Sequence, residues 1–305
     1  MRFPDFYNPS RVGERYSPNL VLAEQEGLGT DLKPASSDRP RRLLVPIDCE
    51  NDFVNGTLPV PGGAEAIKKI VELIFTYPEQ ISKILLPMDK HLVAHIFYGL
   101  WWKDQKGKHP APYTQILNKE VQEGVWTPIL KPEWSKFYTA RLEETGQAPL
   151  MIWPKHCSAS SEGSNLIPSL AEAVEWFCAA RKTNPVYLFK GMIPESEHYG
   201  MFASCIQVPG YKESRLLVDM LELIAGEYEE IFITGLAEDF CVRESLKQMI
   251  DFFQKNMPEA VRRIRLVRDC TALVFPEQRK EADEFLARLE EHGIQVVSSD
   301  NPFLV

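Results

Sequence analysis

The chain lacks any apolar run long enough to cross a bilayer: stretches such as 81–88 and 231–234 fall far short of the roughly 20 residues that a membrane helix needs. That argues against a membrane partner. It has no excess of basic charge either, because 43 acidic residues against 34 basic ones leave a net charge of −9. A phosphate backbone is held by clustered Lys and Arg, so nucleic acid is excluded as an expected ligand. No C-x-x-C pair occurs among the six cysteines at 49, 157, 178, 205, 241 and 270. In a chain this long they read as free thiols, and the question is which one reacts. Around Met1 to Asn8 there is no positively flanked apolar stretch with a small-residue cleavage site, so the expected location is cytoplasmic.

What is present is a core-forming composition, 44% hydrophobic and 25% charged over 305 residues. Residues 1–41 carry Pro4, Pro9, Pro18, Pro34 and Pro40 with no sustained period, and read as an irregular arm over the surface. From 42 to 305, short Leu/Ile/Val runs alternate with amphipathic stretches, the pattern of a parallel sheet with crossover helices. Strands are predicted at 43–47, 84–87, 186–189, 231–234, 264–267 and 294–297. Helices are predicted at 64–76, 166–181, 214–222, 242–255 and 277–291. The fold class is therefore three-layer α/β/α with a six-stranded, mainly parallel sheet. Residues 98–150 break the rhythm with Trp101, Trp102, Pro110, Pro112, Trp126 and Trp134, and read as an inserted lid with its own satellite cluster.

Ligands of open α/β sheets bind beyond the carboxyl ends of the strands. Here those ends deliver Asp48, Asp89 with His91, Lys190 and, after a turn, Cys241. Any one of these alone reads as a solvated end or cap; their coincidence points to chemistry. Cys241 opens a helical pattern, where unsatisfied N–H groups and the helix dipole favour thiolate. Lys190 would lower the thiol pKa further and Asp48 would take its proton. A core cysteine under the helix is the competing reading. Asp89, His91 and His156 form a carboxylate-plus-two-imidazole set suited to a catalytic divalent metal, with His95 as a candidate fourth ligand.

Together these pieces resemble the nicotinamidase branch of the isochorismatase-like cysteine hydrolase family. The resemblance runs from about Arg42 to the C-terminus. It is carried by Leu43-Leu44-Val45-Pro46-Ile47-Asp48-Cys49-Glu50-Asn51-Asp52-Phe53, then Leu58-Pro59-Val60-Pro61-Gly62-Gly63, Asp89-x-His91 with His95, and Trp153-Pro154-x-His156-Cys157. Lys190-Gly191 with Tyr199 and Gly235-Leu236-Ala237-x-x-Phe240-Cys241-Val242 complete it. It implies a Cys–Asp–Lys triad at Cys241, Asp48 and Lys190, a metal on Asp89, His91 and His156, and an aromatic pocket of Phe53, Trp153 and Tyr199. A cis peptide before Ala237 is implied as well, with the N–H groups of Ala237 and Cys241 as the oxyanion hole.

The implied activity is hydrolysis of nicotinamide, or a similar small carboxamide, to the acid and ammonia in NAD salvage. The implied cofactor is one divalent metal, zinc first and iron or manganese next. Two other readings stand beside it: a metal-water hydrolase with a structural Cys241, and an inactive scaffold. Three features depart from the branch. Lys90 replaces an aromatic residue between Asp89 and His91, Glu238-Asp239 adds negative charge before Cys241, and the arm and insertion lengthen the chain. The insertion could close the site or build a homo-oligomer contact.

Overall fold

The structure, a computed structural model, describes residues 3–303. Six strands, β1 (Arg42–Ile47), β2 (Lys83–Asp89), β3 (Val186–Lys190), β4 (Glu230–Leu236), β5 (Ile264–Ala272) and β6 (Gln295–Val297), form one sheet. Their order is β6-β5-β4-β1-β2-β3, with every neighbouring pair parallel. Alternation along β1 splits the core into two layers. Leu44 packs with helices Gly63–Thr76 and Pro168–Arg181, whereas Leu43, Val45 and Ile47 pack with helices Val218–Glu227, Cys241–Asn256 and Arg279–Glu291. The chain steps outward from β1 through β2 to β3 and returns at β4 on the other side of β1. The crevice beyond β1 and β4 is thus the topological switch point.

All six predicted strands and the three-layer α/β class are observed. Four helices differ from expectation by one or two residues at an end, and the fifth, expected at 214–222, is Val218–Glu227. Its buried stripe is Leu221, Ile224 and Ala225, and the segment Lys212–Ser214 before it is a separate 3₁₀ turn.

The arm is not wholly irregular. Helix Leu20–Leu28 lies on helix Pro168–Arg181, with Asn19 Oδ1 accepting from the N–H of Leu22 at 3.1 Å. Its buried positions are Ala23 and Gly27, while Leu20, Val21, Leu22 and Leu28 are exposed, so no apolar stripe announced it. A Cβ on Gly27 would stand 2.4 Å from the carbonyl oxygen of Trp176.

The inserted segment contains helix Pro132–Glu144 and two short antiparallel pairs, Trp102–Lys103 with Thr127–Pro128 and Gln115–Ile116 with Leu150–Met151. No satellite cluster forms. Trp101, Trp102, Ile116, Tyr138 and Leu150 belong to the same core cluster as Ile84 and Leu86 of β2. Their polar atoms are satisfied, Trp101 Nε1 donating to Ser135 Oγ at 2.8 Å and Trp102 Nε1 to the Ile96 carbonyl at 2.6 Å. Among the described residues no helix is long and apolar enough to cross a membrane.

Candidate active site

Strand β1 delivers Asp48 in the left-handed region, at φ 49°, with its N–H bonded to the Pro87 carbonyl at 3.0 Å. A non-glycine residue held there is strained, and such strain collects at functional sites. Strand β4 passes β1 closely because Gly235 has no side chain: a Cβ there would lie 2.1 Å from the Ile47 carbonyl oxygen. The turn that follows places Cys241 at the first position of helix Cys241–Asn256. Lys190 enters from the end of β3 and is buried. Its Nζ stands 2.8 Å from Asp48 Oδ2, 2.7 Å from Asp89 Oδ1 and 3.7 Å from Cys241 Sγ. An oxygen of Asp48, an oxygen of Asp89 and the Cys241 sulfur all lie within 4.8 Å of one another.

The electrostatics correct one expectation. Burial, reinforced by Asp48, pushes the Cys241 thiol well above its ordinary pKa, and the Lys190 ammonium opposes this without reversing it. Burial likewise pushes Asp48 up to about 7, against the pull of Lys190. The carboxylate and thiol therefore compete for a proton in one enclosed place, which suits transfer at the moment of attack. A metal ion does not suit the Asp48–Asp89–Cys241 group, because the Lys190 ammonium already occupies the space between its carboxylates.

Asp89, His91 and His156 present a second group of ligand atoms within 4.8 Å of one another, all three residues buried. His91 Nδ1 lies 3.0 Å from the Gly191 carbonyl and His156 Nδ1 lies 2.7 Å from the Pro154 carbonyl. Each Nδ1–H donates outward, so each Nε2 carries its lone pair inward, the arrangement that metal-binding imidazoles use. The residues fit a divalent ion. His95 does not join this group: its Nε2 accepts from the N–H of Leu92 at 2.9 Å and its ring stacks on Phe97 at 4.6 Å.

A cavity of about 40 Å³ touches both groups. By this measure a water needs roughly 10–15 Å³, so the space suits a compact molecule. Phe53, Trp153 and Tyr199 line it as expected, joined by Leu58, Val60, Phe97, Phe240 and Val274. Ala237 and Cys241 also face it; the Leu236–Ala237 peptide is cis, and the N–H groups of Ala237 and Cys241 have no acceptor among the described residues.

Two of the three departures resolve. Lys90 turns away from this cavity to the carbonyl and hydroxyl of Ser164. Glu238 pairs with Arg268 and Arg279, and Asp239 accepts from the N–H groups of Val274 and Phe275 at 3.0 Å each. Neither carboxylate faces the sulfur.

Sequence reasoning missed three polar residues here, Glu50 and Glu197 buried and His198 half-buried. Glu50 accepts the Asp89 N–H at 2.5 Å and fixes the end of β2. Glu197 and His198 line the cavity from the segment between Lys190 and Tyr199. Glu50 lies inside the first resemblance motif, which was its one signal; Glu197 and His198 had none beyond lying next to Tyr199.

The crevice at the switch point brings together the buried Cys–Asp–Lys cluster and the adjoining Asp–His–His set that the resemblance implies. The chain is similar to nicotinamidases and shares their fold. It is 25% identical to the Escherichia coli (strain K12) nicotinamidase over 205 residues, 67% of this chain and 74% of that protein. It is 23% identical to the Saccharomyces cerevisiae nicotinamidase over 207 residues, 66% of this chain and 78% of that protein. Its fold matches the yeast nicotinamidase Pnc1p bound to the inhibitor nicotinaldehyde with a TM-score of 0.57 at 19% identity, covering 84% of this chain and 99% of that one. No family model matches the chain.

Proposed function

We propose that this protein hydrolyses nicotinamide, or a small carboxamide like it, to the carboxylic acid and ammonia through a thioester on Cys241. The observation that carries the reading is the contact of one ammonium, Lys190, with Asp48, Asp89 and the Cys241 sulfur at the wall of a small aromatic cavity. Asp48 accepts the thiol proton as Sγ bonds to the amide carbon, and Lys190 balances the charge that develops. The carbonyl oxygen becomes an oxyanion facing the free N–H groups of Ala237 and Cys241; losing one such donor typically costs about 2.7 to 4 kcal/mol. The C–N bond breaks as the proton passes from Asp48 to nitrogen, releasing ammonia. Water, deprotonated by Asp48, then adds to the thioester, and the Cys241 sulfur leaves and regains the proton.

Asp89, His91 and His156 would hold a divalent ion, zinc by preference with iron or manganese as other fits. When bound, it would supply a Lewis-acid contact that orients the substrate through a ring nitrogen. We assign residues 42–305 as the hydrolase unit, with 98–150 inserted in it, and a place in NAD salvage in the cytoplasm.

The test is an ammonia-release screen of the metal-replete enzyme on nicotinamide, pyrazinamide, ureido and carbamoyl compounds, repeated with Cys241→Ala. Release from nicotinamide by the wild type, lost in the variant at unchanged metal content, supports the proposal. Survival of the variant with loss on chelation would assign a metal-water hydrolase. No turnover of any compound with metal bound would leave a scaffold.

A further inference from the structure

The cavity contains a carboxyl group that the proposed reaction does not use. Glu197 is 3% exposed, and its Oε1 accepts from two walls at once: the indole Nε1 of Trp153 at 3.1 Å and the hydroxyl of Tyr199. Trp153 Nε1 also reaches the Tyr199 oxygen at 2.8 Å, which closes a triangle of three side chains. The two rings stand nearly perpendicular, at 85°, and each packs against Phe240.

The backbone of Glu197 is held from behind by the inserted segment. Its N–H donates to the hydroxyl of Tyr138 at 3.0 Å, and its carbonyl accepts from the N–H of Cys205 at 2.8 Å. Tyr138 belongs to helix Pro132–Glu144 and is fully buried. Two residues earlier, the Glu195 carbonyl accepts from Trp134 Nε1 of the same helix at 2.7 Å. The insertion therefore fixes the loop that carries the carboxyl.

We propose that Glu197 is a positioning residue that orients Trp153 and Tyr199 as the walls of a slot for a planar ring carboxamide, and that the insertion serves this slot through Tyr138. The inference rests on reading the cavity as the carboxamide site. Indole and phenol can each rotate about their χ angles, and a shared acceptor removes that freedom before the ligand arrives. An aromatic ring gains from walls fixed in advance, whereas an acyclic amide does not. Burial raises the Glu197 carboxyl to about 8, so the resting group is uncharged near neutrality and glutamine is its isostere.

The experiment compares Glu197→Ala, Glu197→Gln and Tyr138→Phe. For nicotinamide, Glu197→Ala raises KM tenfold or more with kcat within threefold, Glu197→Gln restores KM to within threefold of wild type, and Tyr138→Phe falls between. KM for an acyclic amide such as isobutyramide moves less than threefold. Near-UV circular dichroism, which needs no turnover, loses an indole band in Glu197→Ala and regains it in Glu197→Gln. The rate of Cys241 alkylation by iodoacetamide stays within twofold throughout. An unchanged KM and spectrum in Glu197→Ala, or a Glu197→Gln as impaired as Glu197→Ala, would overturn the proposal. Absence of ammonia release by the wild type would count against the amidase reading instead, and the spectra would still decide the role of Glu197.

Discussion

Lys190 and Asp89 are joined across the switch-point crevice, the ammonium 2.7 Å from Oδ1 while the other oxygen of the same carboxylate faces His91 Nε2 at 3.3 Å. Since Lys190 also holds Asp48 at 2.8 Å, one cation compensates two buried carboxylates, one beside the sulfur and one beside the imidazoles. Burial alone would raise Asp89, yet Lys190 and His91 outweigh it and hold the carboxyl below its ordinary range. The sulfur side and the imidazole side of the site thus share a single charge.

Replacing Lys190 with Met fills the volume but removes that charge. Two carboxylates would then face each other in a water-poor crevice, and breaking a buried pair in this way costs about 3–5 kcal/mol. Urea unfolding should show that loss, and ammonia release from nicotinamide should disappear with it. A variant with a wild-type midpoint would show that the ammonium is not the compensating charge.

Gly191 is the next residue, and its φ of +81° places a hypothetical Cβ 2.5 Å from His91 Cε1 and 3.1 Å from Asp89 Oδ1. Alanine there would meet an unfavourable backbone region and push the imidazole aside. Gly191→Ala should weaken zinc binding by roughly 10- to 100-fold, the range seen when groups supporting ligands are disturbed. A competition titration against a chromophoric chelator reads this directly. Equal affinities would mean that His91 can shift freely without losing the ion.

What the sequence made legible follows from where its signals lie. The strands showed because apolar runs such as those around Leu43 and Ile231 have few other uses, and Asp48, Asp89, Lys190 and Cys241 showed because each sits at the end of such a run or the turn after it. The helix Leu20–Leu28 was hidden because it packs through Ala23 and Gly27, so its apolar pattern is the reverse of the usual one. Glu197 was hidden because its role depends on Trp153, more than forty residues away, and on a helix of the insertion. The upward direction of the Cys241 shift could not be read either, since helix position and lysine proximity favour thiolate while burial, the larger effect, is a property of the folded crevice.

The arm offers a test of that packing. With Gly27 set against the Trp176 carbonyl and 2.9 Å from the Ala179 Cβ, a methyl group has nowhere to go unless the helices separate. Gly27→Ala should cost about 1–3 kcal/mol. A fall in Tm of several degrees by scanning calorimetry, with the activity of the folded enzyme retained, is the expected result. An unchanged Tm would show that the arm helix contributes little to the fold.

The pH dependence of turnover follows from Asp48. Its carboxyl is carried up to about 7 first by burial, with Asp89 adding to the rise and Lys190 and the Cys241 hydrogen bond opposing it. Accepting the Cys241 proton requires the ionised form, so the active fraction falls as pH drops through that value. For nicotinamide, kcat/KM should be level above about pH 7.5 and lose close to tenfold per unit below about pH 6.5, whereas an exposed aspartate would hold its level down to about pH 4. Asp89 stays ionised across this range because its pKa is lowered, so it contributes no second limb. Measuring kcat/KM from pH 5 to 8 on the metal-saturated enzyme decides the matter, with bound metal assayed at each pH to separate ion loss from base protonation. A profile flat to pH 5 with the ion retained would remove Asp48 as the proton acceptor and return the thiol's activation to another group.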